Sequence, residues 1–337
     1  MENFGDTLRL MPDKSLGFIK KTPPEGMPLY GGKARFYDNI MLSNQGLMGD
    51  GRLEYKTSMT EAHNFMFYAD SMYARSTSFK LKQEDSSMNS VPDVEGTRHQ
   101  IRWLPDKDEF WVYKGPESFQ MYRNEANFAG DILMTSKGLE GRGTVEMRKA
   151  KMTSSKFTFR RRDWLSEAMS IRFYSEADNS AAFSSDSVRG SVDYDSRTGD
   201  FSSVMSTIAG NLDALQYKVY ADTLQWPIDR DEIVISTADV QEAISSRKFI
   251  PPRGIDTAQL GSIFYSVRPG EDSLYFMSTT ATYRFSNPHL LAEGVKYVLS
   301  ADAQIMVPGL HVDVKAKERM LPFHGATVYA DARQQLH

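Results

Sequence analysis

The side chains best suited to recognition gather in one stretch, Trp103-Leu104-Pro105-Asp106-Lys107-Asp108-Glu109-Phe110-Trp111-Val112-Tyr113. It reads as a hairpin with its charged residues at the tip. A flat aromatic ring offers a broad apolar face, and rows of such rings on a sheet stack against the apolar faces of sugars. Trp103, Trp111 and Tyr113 are therefore the first candidates for a ligand surface, although core packing is the commoner use of such rings. A second set comprises Phe65, Phe67, Phe157 and Phe159, two Phe-x-Phe pairs that each place both rings on one side of a strand. Lined along an open groove, these four rings would shelter acyl chains.

Other residue types offer less. Asp106 and Asp108, or Asp229, Asp231 and Glu232, could supply the two carboxylates of a glycosidase. A chain with 44 acidic residues offers many such pairs in its loops. No two of the six histidines lie three or four residues apart, so no helical metal pair exists. His311 and Asp313 share one face of a strand, but no third ligand accompanies them. Asp193-Tyr194-Asp195-Ser196-Arg197-Thr198-Gly199-Asp200 resembles a calcium loop, yet Arg197 stands where an oxygen ligand is needed and the glycine is one place late. A hairpin turn explains those residues better. Arg160-Arg161-Arg162 beside aromatics could hold phosphate, or could guard a strand edge. Nucleophile elbows, phosphate loops and dinucleotide fingerprints do not occur. No catalytic residue, metal site or cofactor is assigned, and the expectation is a protein that is not an enzyme.

The chain has 337 residues, a net charge of −4, no cysteine, 40 % hydrophobic and 12 % aromatic residues. That aromatic and aliphatic content excludes intrinsic disorder. Zero cysteine excludes disulfide scaffolds, thiolate zinc sites and cysteine nucleophiles. The mild acidity gives no reason to expect nucleic-acid binding. No apolar run approaches the ~20 residues of a membrane helix, so none is expected to span a bilayer.

The elements that must position these residues are strands. Alternation with period two recurs in Ser78-Phe79-Lys80-Leu81, Ser170-Ile171-Arg172-Phe173, Glu232-Ile233-Val234-Ile235 and His311-Val312-Asp313-Val314, each closed by turn residues. Residues 211–226 read as strand. One helix is expected over 237–247, with Thr237 as cap. The fold class is all-β: an elongated stacked β-solenoid or β-jelly-roll array, mostly antiparallel, with at most one or two short helices.

A shift of 92 positions superimposes residues 34–81 on 126–173 without a gap. Gly46-Leu47-Met48-Gly49-Asp50-Gly51 falls on Gly138-Leu139-Glu140-Gly141-Arg142-Gly143, and Phe36, Phe65 and Phe67 fall on Phe128, Phe157 and Phe159. Recurring glycines imply a recurring tight turn before a strand. One block cannot cover its own apolar face, but stacked blocks can. Residues 137–172 carry ten basic and four acidic residues, whereas 176–247 carry five and thirteen, so the charge changes sign near residue 175. The best linker signal is Ile250-Pro251-Pro252-Arg253-Gly254. It divides the chain into 1–250, a repetitive β-region, and 251–337, a second β-region expected to continue beyond the present end.

Two resemblances add to this reading. Gly46-Leu-x-Gly-x-Gly-x-Leu-Glu-Tyr55 with Phe65-x-Phe67-x-x-Asp70-Ser71-Met72 resembles the repeat blocks of large uncharacterised cell-envelope proteins of the Bacteroidetes type. The hairpin from Val192 to Phe201 and the segment from Leu215 to Trp226 are similar to later parts of those chains. Ala281-Thr-Tyr283, Leu291-Ala-Glu-Gly-Val295 and Ser300-Ala-Asp-Ala-Gln-Ile305 resemble the strand repeats of OstA-like lipopolysaccharide-transport jelly rolls. The first resemblance implies an exported, longer, repetitive β-protein. The second implies an open groove for lipid. Neither supplies catalytic residues. Met1-Glu2-Asn3-Phe4 opens with no secretory signal, and Gly325 to Ala330 reads as a strand in mid-series. As a piece of an exported chain the protein belongs to the periplasm, outer membrane or cell surface; read as complete, it is cytoplasmic. The expected function is a non-catalytic structural or binding module of a bacterial envelope, a scaffold or lipid-shielding groove. The alternatives are a carbohydrate-binding or adhesive surface and a β-helix polysaccharide-cleaving enzyme. The expected partners are lipid, polysaccharide or other envelope proteins.

Overall fold

Period-two alternation in the sequence becomes period-two burial in the fold. In Ala126–Thr135 every second residue from Ala126 to Met134 is buried. The computed structural model describes residues 8–10, 14–85, 90–204, 207–237, 261–271, 274–301, 303–316, 319–322 and 324–330. The class is all-β, with 66 % of the structure in strands and 2 % in helical turns. Neighbouring strands run antiparallel, as in the pairing of Ala126–Thr135 with Gly138–Met147 and of Thr280–Arg284 with His289–Glu293. Two single 3-10 turns, Asp213–Leu215 and Pro308–Leu310, interrupt the strands. Residues 211–226 form strands around the first of these turns. The helix expected over 237–247 and the linker at Ile250 lie outside the described residues, apart from Thr237. Among the described residues, no helix is long and apolar enough to cross a membrane.

The chain divides into two compact units, one of Met1–Met147 with Ser155–Trp164, the other of Arg148–Ser154 with Leu165–His337. This division falls well before the linker signal at Ile250.

The first unit contains a closed ring of eight strands. Ser58–Phe67 pairs through its start with Ser78–Leu81 and through its end with Met72–Arg75. One path continues through Val94–Gly96 and Phe119–Met121 to the start of Ala126–Thr135. The other continues through Gln100–Leu104 and Glu109–Tyr113 to its end. Eight strands enclose a space that side chains alone can fill. Here the filling is aromatic. Tyr55 stacks on Phe110 at 5.1 Å, Phe79 meets Phe119 at 6.3 Å, and Phe119 stacks on Phe128 at 6.4 Å.

Strand bounds in the two sequence blocks coincide at the 92-residue offset. Ala34–Ser43, Gly46–Tyr55 and Ser58–Phe67 correspond to Ala126–Thr135, Gly138–Met147 and Ala150–Phe159. The three glycines of each block do three different jobs. Gly46 and Gly138 follow the turns that begin their strands. Gly49 and Gly141 leave room for rings: an added Cβ would lie 2.6 Å from Phe36 in one block and 2.6 Å from Phe159 in the other. Gly51 and Gly143 adopt φ of +151° and +148°, which L side chains rarely adopt. The room is used alike in both blocks. Phe36 meets Phe65 and Phe67 edge-on at 5.2 and 5.3 Å, and Phe128 meets Phe157 and Phe159 edge-on at 6.1 and 5.1 Å. The single recurring turn expected from this motif is therefore a turn, a ring seat and a backbone kink.

In the second unit the long strand Ala181–Asp193 carries two ladders. Thr198–Ser203, Thr223–Pro227, Glu232–Ser236, Thr280–Arg284, His289–Glu293 and His311–Lys315 follow one another in the first. Ile208–Leu212, Tyr217–Ala221, Ser262–Ser266, Tyr275–Ser278, Tyr297–Ser300 and Ala303–Met306 form the second. Phe173 is central to this unit's core, stacking on Phe285 at 5.2 Å and meeting Trp226 at 5.1 Å.

His99 is a polar member of the first unit's core. Its Nδ1 lies 3.0 Å from Tyr113 O, its ring stacks on Phe119 at 3.9 Å, and its Nε2 is buried with no hydrogen-bond partner among the described residues. Burial holds its pKa below 6.5, against smaller opposing effects of the Tyr113 hydrogen bond and Glu117. The unfolded chain therefore takes up a proton that the folded chain resists. Stability is full above pH 6.5 and falls as pH drops from there through the depressed folded value. The urea midpoint should be lower at about pH 5 than at about pH 7.5, and His99→Gln should shrink that difference. Equal differences in the two proteins would show that His99 carries none of it.

Candidate functional site

The hairpin of Gln100–Leu104 and Glu109–Tyr113 turns through residues 105–108, where Lys107 N donates to Leu104 O at 3.1 Å. The carboxylate of Asp108 fastens this turn. It accepts from Tyr55 Oη at 2.8 Å and from Ser136 N at 2.5 Å, and Lys56 Nζ lies 3.3 Å away. These bonds hold its pKa below the usual carboxylate range, against the opposing pull of burial. The register follows from the turn: Trp103 pairs with Phe110, and Arg102 with Trp111. Directly paired residues share a face, so the hairpin separates the three aromatic candidates. Trp103 points into the ring and is fully buried, 5.0 Å from Tyr30 and 4.9 Å from Tyr55. Trp111 and Tyr113 point outward. Trp103 is therefore a core residue and not part of a ligand surface.

On the outer wall, direct pairing aligns Met66, Tyr73, Arg102, Trp111, Leu133 and Glu140 in one row across six strands. A second row beside it runs Arg75, Gln100, Tyr113. Trp111 and Tyr113 lie nearly parallel, 7° apart with centroids at 6.0 Å. Arg102 sits over the Tyr73 ring at 5.5 Å, and Arg142 over Trp111 at 5.7 Å. Tyr68 meets Tyr73 edge-on at 5.8 Å. Both tyrosines are exposed, at 49 % and 39 %.

The strip is braced from several sides. Trp111 Nε1 donates to Glu109 Oε2 at 3.1 Å. Asp131 holds the Arg142 guanidinium at 2.8 and 2.9 Å and also accepts from Lys114 N. Tyr30 Oη reaches Ser71 O at 2.6 Å and Tyr68 O at 2.9 Å, and burial pushes its pKa up to about 12, so it remains a donor. A shallow depression of about 390 Å³ lies along Tyr73, Arg75, Gln100, Arg102 and Tyr113. A smaller one of about 100 Å³ lies beside Trp111, Leu133 and Arg142. Tyr68, Tyr73, Arg75 and Arg102 were not among the sequence candidates. Alternation in Met72-Tyr73-Ala74-Arg75 could have placed Tyr73 and Arg75 on one face, but not opposite Arg102.

The other candidates are placed differently from their sequence roles. Phe65, Phe67, Phe157 and Phe159 are all buried and packed in the two three-ring clusters. Their faces are covered by Phe36 and Phe128, so they line no open groove for lipid. The three consecutive arginines each face a carboxylate: Arg160 with Asp163, Arg161 with Asp85, Arg162 with Glu125. Asp193 to Asp200 forms the expected hairpin turn, in which Asp193 Oδ1 accepts from Asp195 N and Ser196 N. Asp106 faces Lys33, and Asp229 is gripped by Arg197 at 2.7 and 3.0 Å. Asp231 accepts from Ser286 N at 2.9 Å, and Glu232 lies near Arg230 and Arg284. Asp313 meets His289 at 2.5 Å, while His311 Nδ1 lies 3.2 Å from Gly309 O. Among the described residues, no group of three or more His, Asp or Glu side chains gathers as a metal-ligand set.

Comparison with known proteins adds no family to this geometry: no family model matches the chain, and no curated protein or solved structure matches it either.

Proposed function

We propose that this chain is a non-catalytic binding module whose first unit holds a polysaccharide on its outer wall. The observation that carries the reading is the outward aromatic face: Tyr73 and Trp111 in one row, separated by the strand Gln100–Leu104, and Tyr113 in the row beside it, nearly parallel to Trp111. Sugar rings present apolar C–H faces, and flat aromatic rings bury those faces with little loss of side-chain freedom. The ring's interior is filled by aromatic side chains, which supports a surface function over a lipid conduit. The candidate carboxylates are tied in ion pairs or backbone hydrogen bonds, which supports holding over cleaving. An envelope location, periplasmic, outer-membrane or surface, fits this use and rests on the resemblance to exported repetitive β-proteins.

The test is retardation in native gels containing laminarin, xylan, mannan, alginate or polygalacturonate. Retardation by at least one polymer is expected, and Trp111→Ala should weaken it about tenfold, the worth of one well-formed stack. Trp111 is only partly exposed, so retardation is compared at temperatures where both proteins stay folded. Retardation unaltered by Trp111→Ala, or absent in all five polymers, would overturn the proposal.

A further inference from the structure

We infer that the wall selects acidic glycans, binding the carboxylate of a uronic acid residue between Arg102 and Arg75; this rests on the glycan reading above. The depression that holds these arginines is walled by Tyr73, Gln100 and Tyr113 among others, and no carboxylate lines it. Other cations of this unit do have carboxylate partners. Arg142 is neutralised by Asp131, Lys156 by Glu140, Lys80 by Glu95, and Arg98 by Glu117. Among the described residues, Arg75 and Arg102 have no such partner. Arg102 Nε is moreover buried and has no hydrogen-bond acceptor among the described residues. A buried donor without an acceptor is costly, and a guanidinium fork fits a carboxylate through two parallel bonds. The Arg102 guanidinium lies 5.5 Å from the centre of the Tyr73 ring, which favours its charge there.

The neighbours complete the fit. Gln100 is paired directly with Arg75 on one side and with Tyr113 on the other, so its amide and the phenol stand ready for sugar hydroxyls. Trp111 is the direct partner of Arg102, so a chain crossing the row would stack one ring on Trp111 and present the next sugar's carboxylate to Arg102. Charge selects and the rings hold.

The experiment compares alginate, polygalacturonate and hyaluronate with their carboxyl-reduced forms, by titration calorimetry on the full chain. At least one uronate polymer should bind about tenfold more tightly than its reduced form, as one charge-assisted carboxylate contact implies. Arg102→Gln should abolish that preference, so that acidic and reduced polymers bind alike. Arg102→Lys should restore part of it, since it keeps charge but loses the fork. Rising salt should weaken only the acidic polymers. Equal binding of acidic and reduced polymers overturns this inference and leaves the glycan reading intact. No binding of any uronate polymer overturns it as well; if the neutral polymers also fail to retard the protein, the glycan reading falls with it. An acid preference undiminished in Arg102→Gln with unchanged melting temperature overturns the assignment to Arg102.

Discussion

Gly51→Ala lowers the stability of the first unit by about 3 kcal/mol, combining a disallowed backbone conformation with a clash against main chain. Gly51 sits at φ +151°, and an added Cβ would collide with Tyr37 O and lie 2.7 Å from Asp38 Cβ. Tyr37 and Asp38 belong to the strand paired with Gly51, so neither can withdraw without breaking the ladder. The pairing on the other side slips register between Gly49 and Gly51, so the kink is shared by three strands. Gly143→Ala should behave the same way, because its Cβ would meet Ala129 O at φ +148°. Gly46→Ala is the control. It has positive φ but nothing within 4 Å, so only the backbone strain of about 1 kcal/mol remains. Urea titration of the full chain, followed by tryptophan fluorescence, measures all three. Equal losses for Gly46→Ala and Gly51→Ala would show that the kink is not what Gly51 supplies.

Trp103→Ala costs about 3–5 kcal/mol, the usual cost of deleting a fully buried large ring. Trp103 is 0 % exposed and packs against Tyr30, Tyr55 and Phe110. Trp103→Phe keeps a ring in that place and should cost less. The contrast with Trp111→Ala separates the two faces of one hairpin. Trp103→Ala should lower the unfolding midpoint sharply and, at temperatures where the protein stays folded, leave polysaccharide retardation in place. Trp111→Ala, at a less buried position, should lower the midpoint less and abolish most of the retardation. If Trp103→Ala leaves the midpoint unmoved, the inward face of the hairpin is wrong; if both variants lose binding in step with stability, the wall is no separate surface.

Much of the architecture is legible in local sequence. Alternation in Ser78-Phe79-Lys80-Leu81 and in Ala126 to Thr135 marks strands with one buried face, and turn residues mark where they end. Two blocks of matching glycines and phenylalanines, 92 residues apart, carry strands with matching bounds. Class, strand limits and block spacing are local properties, written in side-chain period and backbone permissiveness. What a local pattern cannot carry is which strand lies beside which, and in what register. Trp103 and Trp111 look equivalent in the sequence, yet the pairing of Trp103 with Phe110 sends one into the core and the other to the surface. Phe65 and Phe157 look like groove liners until Phe36 and Phe128 cover them. The row of Tyr73, Arg102 and Trp111 exists because the strand that begins at Met72 pairs with the one that begins at Gln100. A period of two defines two faces for every strand; only the closing of the ring decides which face is inside and which side chains become neighbours across it.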